Sequence, residues 1–374
     1  MSAKTTRLTK LTTALTAASL DALLILSPSG TCTLTGCHLL TQTVIPDRKA
    51  FVLITKEGDS SYLVCSVEAA SAHHSSRIKE IHTYIEFQEE PAVAAARLLQ
   101  AKGLTQARIG IEARTMPIAT YQQLQEALPK ATFVAWDDEF ARLLMIKESY
   151  EIEALATAGR LTQTAIEQGL TGAVPGSSEL AVANAILAGI MGAGIVPLFN
   201  VFAAGPNVME THAEATERIM QPGEIVRLDM GGRLATNHYL SDMARTAVVG
   251  SPSPAQADIY HKLYTIQSHI IAAIQPGRPI SDLYRTCADS FAAHGLPFGM
   301  AHIGHGMGIG LHEAPMIHPD NHTPIEVGMV LNIEPHVAVA DRQESYHIED
   351  LIAVTETGCR LLTTPQPTLI QIPA

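Results

Sequence analysis

The pattern of apolar and polar positions divides the chain into two regions of different character. Up to about residue 140, short apolar runs alternate with amphipathic stretches. The run at residues 22–26 predicts a buried strand, and "KAFVLITKEGDSSYLVCSV" predicts a hairpin. The segment "EEPAVAAARLLQAKGL" predicts a helix, because a proline stands near its start and a glycine near its end. Strands that alternate with helices indicate an α/β layer domain over residues 1–140.

From about residue 137 onward, longer helical stretches dominate the pattern. "DDEFARLLMIKESYEIEALATAGRLTQTAIEQGL" predicts a long helix with one break near Ser149, and "AVANAILAGIMGAG" predicts a second helix. A second pair is predicted at "DIYHKLYTIQSHIIAAI" and "YRTCADSFAAHGL". In each pair a Pro-Gly step precedes a serine, Ser178 or Ser281, which we expect to cap the second helix. The repeated order predicts an internal duplication of a helix–helix–sheet unit, with a site at the seam.

Each half of this duplication ends in a hairpin candidate that carries a carboxylate on each arm. "EIVRLDMGGRLATNHYLSDMARTAVVG" predicts two strands around a turn at residues 231–232, with Asp229 and Asp242 on the arms. "GMVLNIEPHVAVADRQESYHIEDLIAVTE" places Glu334 and Glu349 in the same way. Four carboxylates that converge on a seam repel one another, and a divalent cation would supply the missing counter-charge.

The segment "GHGMGIGLHEAP", residues 304–315, adds two histidines and raises a question about its four alternating glycines. Each glycine would disfavour a helix by about 1 kcal/mol, so an extended strand with one bare face is expected. Something must then approach that backbone closely. His305 completes a donor set of two aspartates, two glutamates and one imidazole. Such a set suits Mn²⁺, Co²⁺ or Fe²⁺ and admits Zn²⁺, and two bridging carboxylates suit two ions about 3.5 Å apart.

Composition and charge exclude several other classes of function. A formal net charge of −12 argues against a nucleic-acid partner, which requires a basic surface. No apolar run approaches the length of a membrane span, and the N-terminal apolar stretch reads as an amphipathic helix rather than a secretion signal. Five scattered cysteines without a CxxC pair are typical of reduced thiols in a cytoplasmic protein, and they exclude a cysteine metal site.

Several segments resemble the pita-bread metallopeptidase family, in particular its Xaa-Pro aminopeptidase and Xaa-Pro dipeptidase (prolidase) branch. The most specific are "LDMGG...HYLSDMART", "GHGMGIGLHEAP" and "IEPH...HIED", and "GPNVMETHAEAT" and "LDALLILSP" add to them. The resemblance covers nearly the whole chain. It implies an α+β architecture with an α/β creatinase/prolidase-type N-terminal domain over residues 1–140. A pita-bread catalytic domain with an internal pseudo-twofold duplication would follow over residues 141–374.

Carried over to the matching positions, the resemblance implies a role for each site residue. The metal ligands would be Asp229, Asp242, His305, Glu334 and Glu349. Glu334 would also move a proton from the attacking water to the leaving amine, while His212 and His312 would touch substrate and stabilise the tetrahedral intermediate. The implied cofactors are two divalent ions, Mn²⁺ or Co²⁺, with Zn²⁺ or Fe²⁺ as alternatives. The implied activity is hydrolysis of Xaa-Pro bonds in dipeptides or at the N-terminus of short peptides, by a homodimer.

Three features depart from the usual pattern of this family. Asp229 and Asp242 are thirteen residues apart, about two more than usual, and an even insertion keeps both side chains on one face. His336 and His347 stand where the family usually has glycine and arginine. One alternative is therefore a hydrolase of a non-peptide amide or amidino compound, similar to creatinase. Another is a non-enzymatic binding module, although such relatives lose metal ligands that this chain retains.

Overall fold

In a computed structural model, the chain is described over residues 4–45 and 47–374 and forms two compact units. The first unit ends at Leu144, and the second unit is Met145–Ala374. The sequence predicts a domain boundary at residue 140. Within the described ranges, no helix combines the length and the hydropathy that crossing a membrane would require.

The first unit is built on a six-stranded sheet with the order β4-β3-β2-β1-β5-β6. Its strands are β1 (Ala22–Ile25), β2 (Phe51–Thr55), β3 (Ser60–Cys65), β4 (Glu80–Tyr84), β5 (Arg108–Ile111) and β6 (Thr132–Ala135). Its helices are α1 (Lys4–Ala17), α2 (Pro28–Thr35), α3 (Leu40–Val44), α4 (Ala69–Ser75), α5 (Pro91–Ala101) and α6 (Ile118–Ala127), and α7 (Asp137–Met145) follows. Along β1, Leu23 and Leu24 pack into two different cores, because successive side chains point to opposite faces of the sheet. The predicted strand, hairpin and helix of this region are confirmed.

The second unit repeats one order of elements, as the predicted duplication requires. The first half contains α8 (Ser149–Thr171), α9 (Glu179–Gly192), β7 (Ile195–Ala204), β8 (Ile225–Leu234) and β9 (Leu240–Val249). The second half contains α10 (Pro254–Ala272), α11 (Ser281–Ala293), β10 (Gly304–Gly306), β11 (Glu313–Met316), β12 (Val330–Ile333), β13 (His336–Val339), β14 (Glu344–His347), β15 (Asp350–Thr355) and β16 (Gly358–Leu361), and β17 (Ile370–Ile372) follows. Short 3-10 turns lie at Ser66–Glu68, Gly205–Met209 and Ala340–Arg342.

Each half of the second unit packs its helix pair on its own sheet. The first sheet has the order β17-β9-β8-β7, and a core of side chains from α8 and α9 covers it. The second sheet has the order β11-β10-β12-β15-β16, and α10 and α11 supply its core. Strands β13 and β14 form a separate two-stranded ladder. Each half therefore buries an apolar face of its own sheet under its own pair of helices.

Of the two predicted serine caps, only one is present. The Ser178 side chain accepts a hydrogen bond from the backbone N–H of Ala181, which caps α9 as expected. The prediction for Ser281 is wrong, because α11 already includes it and Ile280 occupies the cap position. The Ser281 hydroxyl lies instead 3.2 Å from Nδ1 of His322.

The prediction of a turn at residues 231–232 is also wrong. Both glycines lie inside β8, where Gly231 pairs with Asp242 of β9. A Cβ atom on Gly231 would come within 2.1 Å of the carbonyl oxygen of Ser241. Glycine is needed here because another backbone approaches closely, not because the chain turns. Since Asp229 lies two positions from Gly231, the side chains of Asp229 and Asp242 share one face of the sheet.

Candidate metal centre

The five predicted metal ligands come together between the two sheets of the second unit. They form three overlapping groups, and within each group one donor atom of every residue lies within 4.8 Å of the others. The groups are Asp229–Asp242–Glu349, His305–Glu334–Glu349 and Asp242–His305–His312. The duplication thus delivers acids from both hairpins to one point, with the histidine segment beside them.

The two hairpins deliver their acids from different positions in the strands. Asp229 and Asp242 lie within the continuous β8–β9 ladder. Glu334 directly follows β12, and Glu349 directly precedes β15. The β12–β15 ladder ends at the pair Ile333 and Asp350, and the β13–β14 ladder begins beyond it. Both glutamates therefore stand at a break in one long hairpin, where the strand pairing changes.

His305 presents one ring nitrogen to the acids. It is fully buried, and its Nε2 lies 3.5 Å from Oδ2 of Asp242 and 3.6 Å from Oε1 of Glu334. Its Nδ1 lies 3.0 Å from the carbonyl oxygen of Gly306. A proton on Nδ1 satisfies that carbonyl and leaves the lone pair of Nε2 directed toward the carboxylates. This is the tautomer in which an imidazole binds a metal ion through Nε2.

Several donor atoms of the cluster are buried and have no hydrogen-bond partner. They are Oδ1 of Asp229, Nε2 of His305, Oε1 of Glu334 and Oε1 of Glu349. A buried polar atom without a partner is destabilising by about 1–3 kcal/mol, so four at one point need an explanation. Oxygen donors with one imidazole fit a hard or borderline divalent cation, and these residues could hold one.

The charges of the cluster support the same assignment. Burial, followed by the neighbouring carboxylates, raises the pKa of Asp229 and of Glu349 well above the usual range. Burial also opposes ionisation of Glu334, but the adjacent His302 and His347 outweigh it and lower the pKa of this carboxyl. Burial opposes protonation of His305, yet the Asp242 and Glu334 carboxylates raise its pKa. The five proposed ligands comprise four acids and one imidazole, so this donor set calls for a cation.

A hydrogen-bond scaffold fixes Glu349 in place. The backbone N–H of Ala244 donates to Oε2 of Glu349 at 2.7 Å. The fully buried Arg245 donates to the carbonyl oxygen of Glu349 and pairs with Asp350 at 2.9 Å. An arginine of the first half therefore holds the backbone that presents a glutamate of the second half.

Three histidines other than His305 surround the centre. The His312 ring stacks on that of His305, with centroids 4.0 Å apart and planes inclined by 24°. His302 Nδ1 lies 3.4 Å from Oε1 of Glu334, and His347 Nε2 lies 3.6 Å from Oε2. The sequence had not singled out His302. It precedes β10, where the alternation of a strand gives no information about side-chain direction.

His336 lies just outside this ring of histidines. It is half-buried and pairs with His347 in the β13–β14 ladder, with ring centroids 5.7 Å apart. Burial, with a smaller contribution from His347, lowers the pKa of His336 to about 4. The two positions that depart from the family pattern are therefore neighbours at the edge of the centre.

His212 is placed differently from the other predicted residues. It is exposed, and it belongs to none of the three donor groups found among residues 4–45 and 47–374. The guanidinium of Arg227 donates to the carbonyl oxygens of Glu210 and Thr211, at 2.6 and 2.7 Å, and so fixes the turn that carries His212. The backbone N–H of Phe202 in β7 then donates to the carbonyl oxygen of Ala213. The contact of His212 with substrate stays a prediction.

Of the four alternating glycines, only Gly304 and Gly306 lie in a strand, β10, and these two make room for the protein's own neighbouring strands. A Cβ atom on Gly304 would come within 2.1 Å of the carbonyl oxygen of Asn332. One on Gly306 would come within 2.2 Å of the carbonyl oxygen of Ala314. The expected close approach is real, but at these two positions neighbouring backbone makes it, rather than substrate or metal.

Comparison with known proteins assigns the chain to a family. Residues 153–356 match the profile of metallopeptidase family M24. Residues 7–146 match the creatinase/prolidase N-terminal domain. The M24 match spans all five predicted ligands and His212 and His312. Divalent metal ions are implied by this family, and the donor set described above fits them.

Individual relatives agree with the family assignment. An uncharacterised peptidase of Bacillus subtilis is 31% identical over 266 residues, which cover 70% of this chain and 74% of the relative. An Xaa-Pro dipeptidase of Pyrococcus furiosus is 29% identical over 265 residues, covering 70% and 75%. The crystal structure of dipeptidase PepE from Mycobacterium ulcerans superposes with a TM-score of 0.85 at 28% identity, over 99% of this chain and 98% of that one. The chain therefore belongs to metallopeptidase family M24 and, as the sequence predicts, is a metallo-exopeptidase of the pita-bread fold with a creatinase/prolidase N-terminal domain.

Proposed function

We propose that the protein hydrolyses Xaa-Pro bonds, in dipeptides or at the N-terminus of short peptides, with two divalent metal ions. The observation that carries the proposal is the convergence of two aspartates, two glutamates and one imidazole, with four buried donor atoms left unpaired. The relatives named Xaa-Pro dipeptidases support the choice of substrate.

The overlap of the donor groups supports two ions rather than one. Glu349 belongs both to the group with Asp229 and Asp242 and to the group with His305 and Glu334. A carboxylate with two oxygens can serve both groups, as bridging ligands do in dinuclear sites. We propose Mn²⁺ or Co²⁺ as the native metal, with Fe²⁺ or Zn²⁺ as the alternatives that the same donors accept.

The residues divide the chemistry between them. Bound divalent ions supply the charge that lowers the pKa of a water molecule and polarises the scissile carbonyl group. Glu334, with 14% of its side chain exposed, stands at the open side of the cluster, where its carboxylate takes the proton of the water and delivers it to the leaving amine. The exposed His312 donates a hydrogen bond to the carbonyl oxygen as negative charge develops, and His212 is proposed to assist it.

A second candidate keeps the metal centre but changes the substrate. His347 lies beside Glu334, and His336 lies against His347, at positions where the family usually has arginine and glycine. A non-peptide amide or amidino compound is therefore the competing substrate class. The retention of all five ligands speaks against a binding module without activity.

The decisive experiment measures cleavage of Ala-Pro, Ala-Pro-Ala and Ala-Ala by protein purified with Mn²⁺, before and after chelation. We expect metal-dependent cleavage of the proline peptides alone, and the ratio of dipeptide to tripeptide rates separates dipeptidase from aminopeptidase. Glu334→Gln should reduce kcat by about 100- to 10,000-fold, since it removes the proton carrier. No cleavage by protein that binds two ions per chain would reject Xaa-Pro as the substrate and favour the second candidate.

The proposal also includes a cytoplasmic homodimer that acts on small peptides and on neither nucleic acid nor membranes. The net charge of −12 and the five scattered cysteines, which include no CxxC pair, support this setting. Sedimentation equilibrium of the full chain tests the dimer, and a monomer at micromolar concentration would contradict it.

A further inference from the structure

We propose that the buried ion pair Lys147–Glu313 is a positioning device that sets the His312 ring against His305. In this proposal Lys147 and Glu313 touch neither substrate nor metal, and they act through the loop that carries His312. The inference concerns the placement of His312. Its activity test rests on the proposed function, but its structural test does not.

The ion pair is anchored on the side of the lysine. Nζ of Lys147 lies 2.7 Å from Oε2 of Glu313, and the two side chains are 2% and 16% exposed. The backbone N–H of Lys147 donates to the carbonyl oxygen of Gly328, and Ile146 forms a β-bridge with Met329. The ammonium group is thereby tied to the segment that enters β12, the strand that leads to Glu334.

On the other side, Glu313 organises the loop at residues 307–312. Its Oε1 accepts a hydrogen bond from the backbone N–H of Gly310 at 2.7 Å. A Cβ atom on Gly308 would come within 2.5 Å of both carboxylate oxygens, so the loop is wrapped tightly around this group. The loop is also held at its start, where the backbone N–H of Met307 donates to the carbonyl oxygen of Val330.

The wrapping determines where His312 lies. Seven positions separate His305 from His312 in the sequence, yet their rings stack at 4.0 Å because the chain doubles back around the Glu313 carboxylate. His312 directly precedes Glu313, so a shift of that carboxylate moves the imidazole with it. Loss of either charge breaks the buried ion pair, which strongly destabilises the local arrangement.

The structural test uses ring resonances of labelled histidine in the metal-free protein, with the His312 signal assigned by its loss in His312→Ala. We expect Glu313→Ala and Lys147→Met to shift the His312 signal out of the ring-current position that stacking produces. Glu313→Gln should shift it less, because the acceptor for Gly310 remains. Arg360→Met is the matched control, since its ion pair with Glu153 is exposed and leaves the loop untouched. Unchanged His312 signals in Glu313→Ala would overturn the proposal.

The activity test separates positioning from general damage. With Ala-Pro as substrate, Glu313→Ala should lower kcat by about 100-fold, the effect of a displacement of about 1 Å, with little change in KM. In a His312→Ala background the same substitution should have no further effect on kcat, and additive effects would reject the proposal. The double variant Lys147→Met/Glu313→Gln removes both charges, and it replaces the single variants in this test if one of them fails to fold. If the wild type cleaves no Xaa-Pro peptide, only the proposed function fails, and the resonance shifts still decide the positioning role.

Discussion

The two halves of the catalytic unit contribute to one cluster by different means. In the first half, Asp229 and Asp242 stand inside strands of ten residues each, and their ladder is continuous from Ile225 to Arg233. In the second half, Glu334 and Glu349 stand at a break between two ladders of four residue pairs each. The duplication has kept the order of elements while the local route to the site has diverged.

The electrostatic contributions of the two halves differ as well. Asp229 has a raised pKa, because it is buried and faces other acids. Glu334 has a lowered pKa, because His302 and His347 flank its two oxygens. Asp229 therefore depends on an external cation, as does the buried Glu349 of the second half, whereas Glu334 is flanked by histidines of its own half. The comparison teaches that equivalent strands need not supply equivalent charge.

The strongest test of the comparison removes one ligand from each half. Asp242→Asn and Glu349→Gln should each lower kcat/KM for Ala-Pro by more than about 100-fold. Even the substitution of a residue that only supports a metal ligand lowers activity by about 10- to 100-fold. Metal content per chain, measured by mass spectrometry, should fall in both variants. Glu153→Gln, an exposed acid of α8, is the control. If either variant kept the wild-type metal content, the half of the unit that carries the substituted residue would not contribute that ligand to the centre.

The next largest effect concerns the histidines of the second half and pH. His336 stays neutral in the folded protein down to about pH 4, whereas in the unfolded chain it takes up a proton near pH 6.5. Between those values the unfolded state binds more protons, so the free energy of unfolding falls as the pH falls. In the presence of a chelator, the free energy of unfolding should fall between pH 6.5 and 4 by up to about 3 kcal/mol more in the wild type than in His336→Gln. If the free energy of unfolding, measured by urea denaturation, had the same pH dependence in both proteins, the prediction would be contradicted. His261→Gln, at an exposed position of α10, is the control.

A smaller effect tests the close approach of backbones in both halves. Gly231→Ala and Gly306→Ala should each lower the free energy of unfolding by about 1–3 kcal/mol, since the new Cβ meets a carbonyl oxygen at 2.1 or 2.2 Å. Gly299→Ala is the matched control, because nothing lies within 4 Å of its Cβ position. If the variants at Gly231 and Gly306 were as stable as this control, the glycines would have no steric role.

The smallest effect compares the two serines that open the second helix of each half. At Ser178, a true cap, alanine should lower the free energy of unfolding by about 1 kcal/mol and glycine by only a few tenths. At Ser281, which lies inside α11, the order should reverse, with glycine the worse replacement by about 1 kcal/mol. Thermal or urea denaturation measures the stability of the four variants. If alanine and glycine ranked in the same order at both positions, the two serines would not differ in their capping role.

Periodicity predicted most of the helices and strands because they bury regular apolar faces. It missed α2, whose sequence "PSGTCTLT" has few apolar residues and depends on the Ser27 cap and on Gly36 in the left-handed conformation. It misplaced the turn at residues 231–232, because a glycine pair signals a turn and a close backbone approach equally well.

The site was predictable to the extent that its residues stand next to apolar strands. The four acids follow or interrupt such runs, so their convergence could be inferred before any contact was known. The Lys147–Glu313 pair could not be inferred, because its members are 166 residues apart and neither belongs to a local pattern. His302 was missed for the related reason that it precedes its strand.

Strand β17 affects the order in which the catalytic unit can assemble during synthesis. It pairs in parallel with β9, from Ile370 opposite Ala247 to Ile372 opposite Val249. Thr364, just before it, also accepts hydrogen bonds from Gln163 and Arg245 of the first half. These residues leave the ribosome after the whole second half, so the sheet that carries Asp229 and Asp242 lacks its edge strand until then. The enzyme should therefore acquire its centre only after translation has passed both halves, and nascent chains should be unable to cleave peptides.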